Sequence, residues 1–352
     1  MAGLWHIERS TAVSRAALFA AAPALAALLA LPAWGDSGDM RLAVEISYYL
    51  ALAQAWNLLA GYTGLVSVGQ QAYVGLGGYA FFALSVLAGV PPLASLALAG
   101  LAVAALALPT AFIVFRLRGA YFAIGTWVVA EVFRLLLALA TPLGGGTGMS
   151  LPVTVVRSLA ESSRARGLIT YYLGLGLGLG TVLLVFFWLR SRQGLALTAI
   201  RDSETAAASV GVDNRRTKLA VYLIAAGIAG LIGALAFLEK LRISPDAAFS
   251  VGDWTANIIF IVVIGGIGSI EGPILGTIVF FALRALLVDY GAWYLITLGA
   301  LAVAVMLLAP QGLWGVLSRP LGLQFFPVQR RLRLLDSAPH AAPGVPAAGR
   351  GD

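Results

Sequence analysis

The sequence predicts an all-α, polytopic integral membrane protein with about ten transmembrane helices. Three observations predict it. The 352 residues are 60% hydrophobic, and the mean hydropathy is +0.91. Only 11% are charged, where a soluble chain runs near 25%, so polar side chains are too few to cover a water-facing surface. The apolar residues also fall into runs close to the roughly 20 residues that cross a bilayer. A soluble enzyme, a disordered chain and a secreted domain are excluded together. The sequence contains no cysteine, which excludes disulfides, thiolate metal sites and a cysteine nucleophile. Both histidines, His6 and His340, lie in terminal segments, so no imidazole in the apolar body can ligate haem or relay protons.

The first apolar run, residues 16–33, follows Arg9 and Arg15 and resembles the start of a cleavable signal. It is long for one and no A-x-A site follows, so an uncleaved first span is expected. Further runs at 42–60, 65–90, 93–115, 120–140, 168–189, 219–238, 255–267, 273–288 and 292–309 bring the count to ten. Gly174, Gly176, Gly178 and Gly180 alternate with leucine in the sixth run. A lone strand is not viable in lipid, so a helix with small-xxx-small pairs and tight internal packing is expected there.

The eighth and ninth runs are short and separated by Gly265, Gly266, Gly268 and Gly272, which leaves one fused helix as a rival reading. Charge parity decides between them. With the N-terminus inside, fifteen of the 23 basic residues fall on the cytoplasmic side, including Arg116, Arg118, Arg190, Arg192, Arg201, Arg215, Arg216 and Lys218. Six fall outside: Arg41, Arg157, Arg164, Arg166, Lys240 and Arg242. This obeys the positive-inside rule, and fusing the two runs would erase the bias. The chain then divides into an N-terminal segment with the first span (1–41), a transmembrane domain (42–318) with a cytoplasmic loop (190–218), and a basic, proline-containing tail (319–352) whose composition predicts disorder.

No G-x-x-x-x-G-K-[ST] loop is present, and neither Lys218 nor Lys240 follows the glycines such a loop needs, so the chain is expected to hydrolyse no ATP itself. Ion coupling would place carboxylates in the bilayer core. The candidates there are Glu131 and Glu45, and Glu131 sits one helical turn before Arg134, which reads as a structural ion pair. Arg284, with Asp289 five residues on, is expected to snorkel or pair locally. No catalytic group, metal site or bound cofactor is expected.

The loop between the sixth and seventh runs is the most informative polar segment. Leu195, Leu197, Ile200, Ala207 and Val210 share a face at helical spacing, with Arg201, Asp202, Glu204 and Thr205 polar, so a short amphipathic helix ending at Gly211 is expected. Such a helix either lies on the membrane or docks in a groove of another protein.

The loop resembles the coupling motif of bacterial ABC importer permeases, a Glu, a small residue, an Ala, three variable residues and a Gly, here Glu204, Thr205, Ala206, Ala207 and then Gly211. Four further segments join it in the order of the branched-chain amino-acid permease family: AWNLLAGYTGLVSVGQQAYVGLGGYAF at 55–81, RLRGAYFAIGTWVVAEVFR at 116–134, GGIGSIEGPILG at 265–276 and APQGLWG at 309–315. The resemblance covers 42–315 and is nearest to the M-type subunit. It implies the ABC importer permease fold and a subunit of an ATP-driven importer of branched-chain or related amino acids, multi-pass in the bacterial inner membrane with both termini cytoplasmic. It implies as partners a second homologous permease, two cytoplasmic ATPase subunits that use ATP-Mg, and an external solute-binding protein. Arg201, Asp202, Glu204, Ala206, Ala207 and Gly211 would then contact the ATPase. One departure is Ser203, where the usual pattern is acidic; Asp202 is the candidate substitute.

Glycines crowd the start of the third run beside Gln70, Gln71 and Tyr73, where unwound or closely packed backbone is expected, with Gln70 and Gln71 either lining a cavity or hydrogen-bonding between helices. With Asn57, Thr126, Trp127 and Asn257 these are the candidate solute-path residues. The rival function is a stand-alone, ion-coupled secondary transporter or channel for a small polar solute. It requires an unpartnered coupling carboxylate, and Glu131 has a partner nearby.

Overall fold

The computed structural model describes residues 5–8, 12–321, 325–327 and 331–334. The expectation for residues 335–352, His340 among them, lies outside the described residues. Among those described, the helices are α1 (Ala12–Trp34), α2 (Ser37–Thr63), α3 (Gln70–Phe82) with a π-helical continuation (Ala83–Leu87), α4 (Pro92–Val114), α5 (Ala120–Ala138), α6 (Val153–Leu159), α7 (Ser163–Leu189), α8 (Arg192–Asp202), α9 (Glu204–Ser209), α10 (Asn214–Lys240), α11 (Pro245–Ala248), α12 (Asn257–Gly265) after a π-helical segment (Val251–Ala256), α13 (Glu271–Leu287), α14 (Ala292–Leu308) and α15 (Gly312–Leu321). Every apolar run of the sequence contains one of them.

Local chemistry sets several boundaries. Asp36 caps α2, its carboxylate accepting from the N–H groups of Gly38 and Asp39 at 2.7 and 2.9 Å while Asp39 accepts from the Asp36 N–H, a reciprocal capping box. The glycine cluster does separate α12 from α13: Gly266 and Gly268 take φ of 126° and 80°, which end a helix rather than continue it.

Six helical segments are long and apolar enough to cross a bilayer, namely α4, α5, α7, α10, Pro245–Gly265 and Glu271–Tyr290, or seven if Ile296–Leu308 and Gly312–Ser318, bent by 44°, form one span. The expectation of about ten counts α1, α2 and α3 as well. α1 runs 23 residues, and α3 only 13 before its π turn. α2 carries Asp39, Arg41, Glu45, Gln54 and Asn57. For α2 and α3 the reason is positional: with α10 they form the buried centre, so their sequences answer to protein neighbours rather than to lipid.

The α3–α10 contact is a backbone contact. A Cβ on Gly77 would strike the Gly230 carbonyl, and one on Gly233 would strike the Val74 carbonyl. Only glycine permits that approach. In α7 the expectation of tight packing holds for one glycine pair: a Cβ at Gly174 or Gly178 would lie 3.0 Å from Val44 or Ser47 of α2, while Gly176 and Gly180 face open space.

Basic residues sort by end. Arg41, Arg164 and Arg166 border one cleft of about 470 Å³, whereas Arg116, Arg118, Arg201, Arg215 and Lys218 border another of about 900 Å³. The 27-residue α2, roughly 40 Å long, runs from the first to the second. β2 (Met149–Ser150) and β3 (Arg242–Ile243) pair antiparallel, joining the chain after α5 to the chain after α10. Within the tail, β4 (Arg331–Leu334) pairs antiparallel with β1 (Trp5–Glu8). Both tetrapeptides alternate apolar with polar residues, the period that suits a strand, so this part of the tail departs from the disorder its overall composition predicts.

Candidate functional site

The loop after α7 folds as two helices rather than one. Ser203, extended at φ −162° and ψ 114°, breaks α8 from α9, and its hydroxyl accepts the Ala206 N–H at 3.3 Å as the N-cap of α9. Serine therefore does the capping that a carboxylate would do at this place. Asp202 instead lies against Arg201, with Nε 3.2 Å from Oδ1. At the other end Gly211, at φ 87°, donates to the Ala208 carbonyl and Val212 donates to the Ala207 carbonyl, the paired bonds of a Schellman stop.

The break corrects the expected apolar face. Leu197, Ile200 and Ala207 are buried against the bundle, but Leu195 and Val210 are 66% and 77% exposed. Leu195, two residues before Leu197 in α8, faces the other side of that helix, and the kink at Ser203 sets α9 at its own angle, so no single stripe survives. Glu204 ties α9 to α10: Lys218 Nζ lies 2.7 Å from its carboxylate, and Asn214 Nδ2 donates to its carbonyl at 2.7 Å. Ala206 is exposed and Ala207 fully packed.

Beneath this loop three of the sequence motifs converge. Asn57 of α2 donates to the Ser269 carbonyl and accepts the Gly268 N–H, each at 2.8 Å, and Gln54 donates to the Ile270 carbonyl at 2.7 Å. A Cβ on Gly312 would strike Gly266, so the APQGLWG turn rests directly on the GGIGSIEG loop. Arg201 lies 5.9 Å above the Tyr62 ring at the end of α2, in cation–π range. The loop thus contacts the C-terminal end of the central helix α2.

The candidate solute-path residues are spread over α2, α3, α5 and α12. Asn57 is held as above. Gln70 donates to the Ala225 carbonyl at 3.4 Å, and Gln71 accepts from the Thr255 hydroxyl while its N–H donates to that same oxygen. Tyr73, Thr110 and Tyr222 form a buried hydroxyl cluster. Thr126 accepts the Val68 N–H, and Asn257 donates to the Asp253 carbonyl and to Tyr49. These groups cross-link helices. Trp127 alone of the set is half exposed, on the outer face of α5.

Glu131 and Arg134 do meet, at 2.5 Å, and a third member joins them that sequence spacing does not reveal: Asp246 of α11 lies 2.8 Å from Arg134 Nη1. A fork with several donors serves both carboxylates. Arg284 corrects the expectation of a local partner, since it pairs with Glu45 at 2.6 Å, from α13 to α2. Tertiary packing brings those helices side by side, which sequence distance hides. Two further links lay outside the sequence reading: buried Glu271 accepts the N–H groups of Phe325 and Phe326 at 3.1 and 2.9 Å, and Tyr48 donates to Glu239 at 2.8 Å.

A family model described as the permease component of branched-chain amino acid transport systems matches residues 40–310. The high-affinity branched-chain amino acid transport system permease protein LivM of Escherichia coli K12 is 32% identical over 315 residues, covering 82% of this chain and 74% of its own. The protein of the same description from Salmonella typhimurium LT2 is 30% identical over 307 residues, covering 81% and 72%. No solved structure matches the chain.

Proposed function

The chain belongs to the family of permease components of branched-chain amino acid transport systems, and from that premise we propose that it is the permease subunit of an ATP-driven importer of branched-chain or related amino acids in the inner membrane. One observation carries the mechanism: α8 and α9 are seated on the inner ends of α2 and α10 by Leu197, Ile200, Ala207 and the Glu204–Lys218 pair, yet present Ala206, Ser209 and Val210 outward. The seated face gives the loop a rigid grip on the bundle. The outward face is free for a partner.

In this reading two ATPase subunits bind ATP-Mg, close on each other and push α9, and the push passes through Arg201 and Tyr62 to α2 and through Glu204 and Lys218 to α10. A homologous second permease and an external solute-binding protein complete the importer. Asn57, Gln70, Gln71, Tyr73 and Thr126 are each already bonded to protein, which supports a solute path outside this core, along the Trp127 face of α5 against the second permease. The ten helices each cross the membrane, α2 and α3 shielded by neighbours, which leaves both termini cytoplasmic.

Reconstitution tests this. In liposomes holding both permeases and the ATPases, with the binding protein outside, leucine uptake is expected to require internal ATP and to survive dissipation of proton and sodium gradients. Accumulation of leucine by this chain alone on either gradient overturns the reading.

A further inference from the structure

The cleft of about 900 Å³ at the inner end is built from α2, the α4–α5 turn, α9 and the start of α10, and its charges do not balance. Arg116, Arg118, Arg201, Arg215 and Lys218 border it against one carboxylate, that of Glu204, which Lys218 already holds. Arg201 has Asp202. Arg116 and Arg118, exposed on the turn, have no carboxylate partner among the described residues, and Arg215 has only the Phe112 ring, 5.8 Å away. Guanidinium groups gathered around a hollow repel one another unless an anion bridges them, and their planar donors match phosphate oxygens.

The surroundings say which anion. Phe112 and Leu117 are exposed at the rim, and the outer faces of α4 and α5 carry Leu108, Ile113, Tyr121 and Ile124 exposed. A hollow of cations opening onto an apolar helix surface at the inner end of two membrane-spanning helices is matched by an amphiphile, not by a free ion.

We infer that this cleft binds the phosphate headgroup of an anionic phospholipid, whose acyl chains lie along α4 and α5. Because Glu204, Thr205 and Ala208 of the loop form one wall, the bound lipid braces α9 against α10 and the α4–α5 turn. Loop position then depends on the anionic lipid content of the inner leaflet.

The test uses the full chain, purified in neutral detergent, with native mass spectrometry of retained lipid. Phosphatidylglycerol is expected to be retained over phosphatidylcholine of the same acyl composition. Each of R116Q, R118Q and R215Q should cut that preference about fivefold, from the contribution of one surface arginine to anionic lipid binding. R190Q/R192Q, on the same side but outside the cleft, should leave it unchanged. Should R215Q, at the start of α10, misfold, R118Q, on an exposed turn, still reads the preference. An unchanged preference in R118Q overturns the inference, as does an equal loss in R190Q/R192Q. Displacement of the lipid by equimolar inorganic phosphate would assign the cleft to a soluble anion, and expulsion of the lipid when the ATPase subunits bind would assign it to a protein partner; either result overturns it as well.

Discussion

Two residues carry predictions of their own. Gly211 holds φ 87° with nothing within 4 Å of where a Cβ would stand, so the cost of replacing it is conformational, about 1–2 kcal/mol for an L-residue held left-handed. Gly211→Asp is expected to leave the chain in the membrane at normal abundance while solute no longer stimulates ATP hydrolysis and uptake falls. Normal solute-stimulated ATPase with full uptake would count against the coupling role. Asn57 is the opposite case, a buried side chain with both ends bonded to the Gly268–Ser269 turn. Asn57→Ala should lower the stability of the purified chain by about 1–3 kcal/mol, the cost of stranding buried backbone groups, read as a drop in thermal unfolding temperature. An unchanged unfolding temperature with impaired uptake would return Asn57 to the solute path. Both residues stand out in the sequence. Only their neighbours separate a strained stop from a buried cross-link.

At the scale of elements, the loop after α7 and the outer end of α5 show how far periodicity reaches. Helical spacing predicts an amphipathic segment, and its glycine stop lies where expected. The break at Ser203 is invisible to periodicity because a serine inside a helix and a serine capping the next one read alike until backbone angles distinguish them. In α5 the Glu131–Arg134 pair follows from one-turn spacing, whereas Asp246, 112 residues from Arg134, does not. That third charge alters a simple test. Glu131→Arg with Arg134→Glu preserves the pair within α5 but sets a glutamate against Asp246. The double variant is expected to reach the membrane at reduced abundance and lower stability, by less than about 1 kcal/mol for so exposed a pair. Adding Asp246→Lys should restore it. Full recovery already in the double variant would mean that the link to α11 contributes nothing.

The whole molecule is a membrane bundle whose sidedness is open to direct measurement. The chain contains no cysteine, so single cysteines report without background. A cysteine at Arg118 is expected to react with an impermeant thiol reagent only from the cytoplasmic side, and one at Arg164 only from outside; the reverse pattern would invert the topology. Hydropathy and helical run lengths were enough, from the sequence alone, to determine an all-helical membrane protein, because lipid imposes the same length and polarity on every exposed span, while the resemblance to the family rested on five motifs in order. The tertiary structure alone decided which helices need not look like spans, which glycines touch backbone, and that Arg284 reaches Glu45 and Arg134 reaches Asp246. Those outcomes depend on which helices lie side by side. Side-chain chemistry specifies what a neighbour must supply, but only packing specifies who the neighbour is.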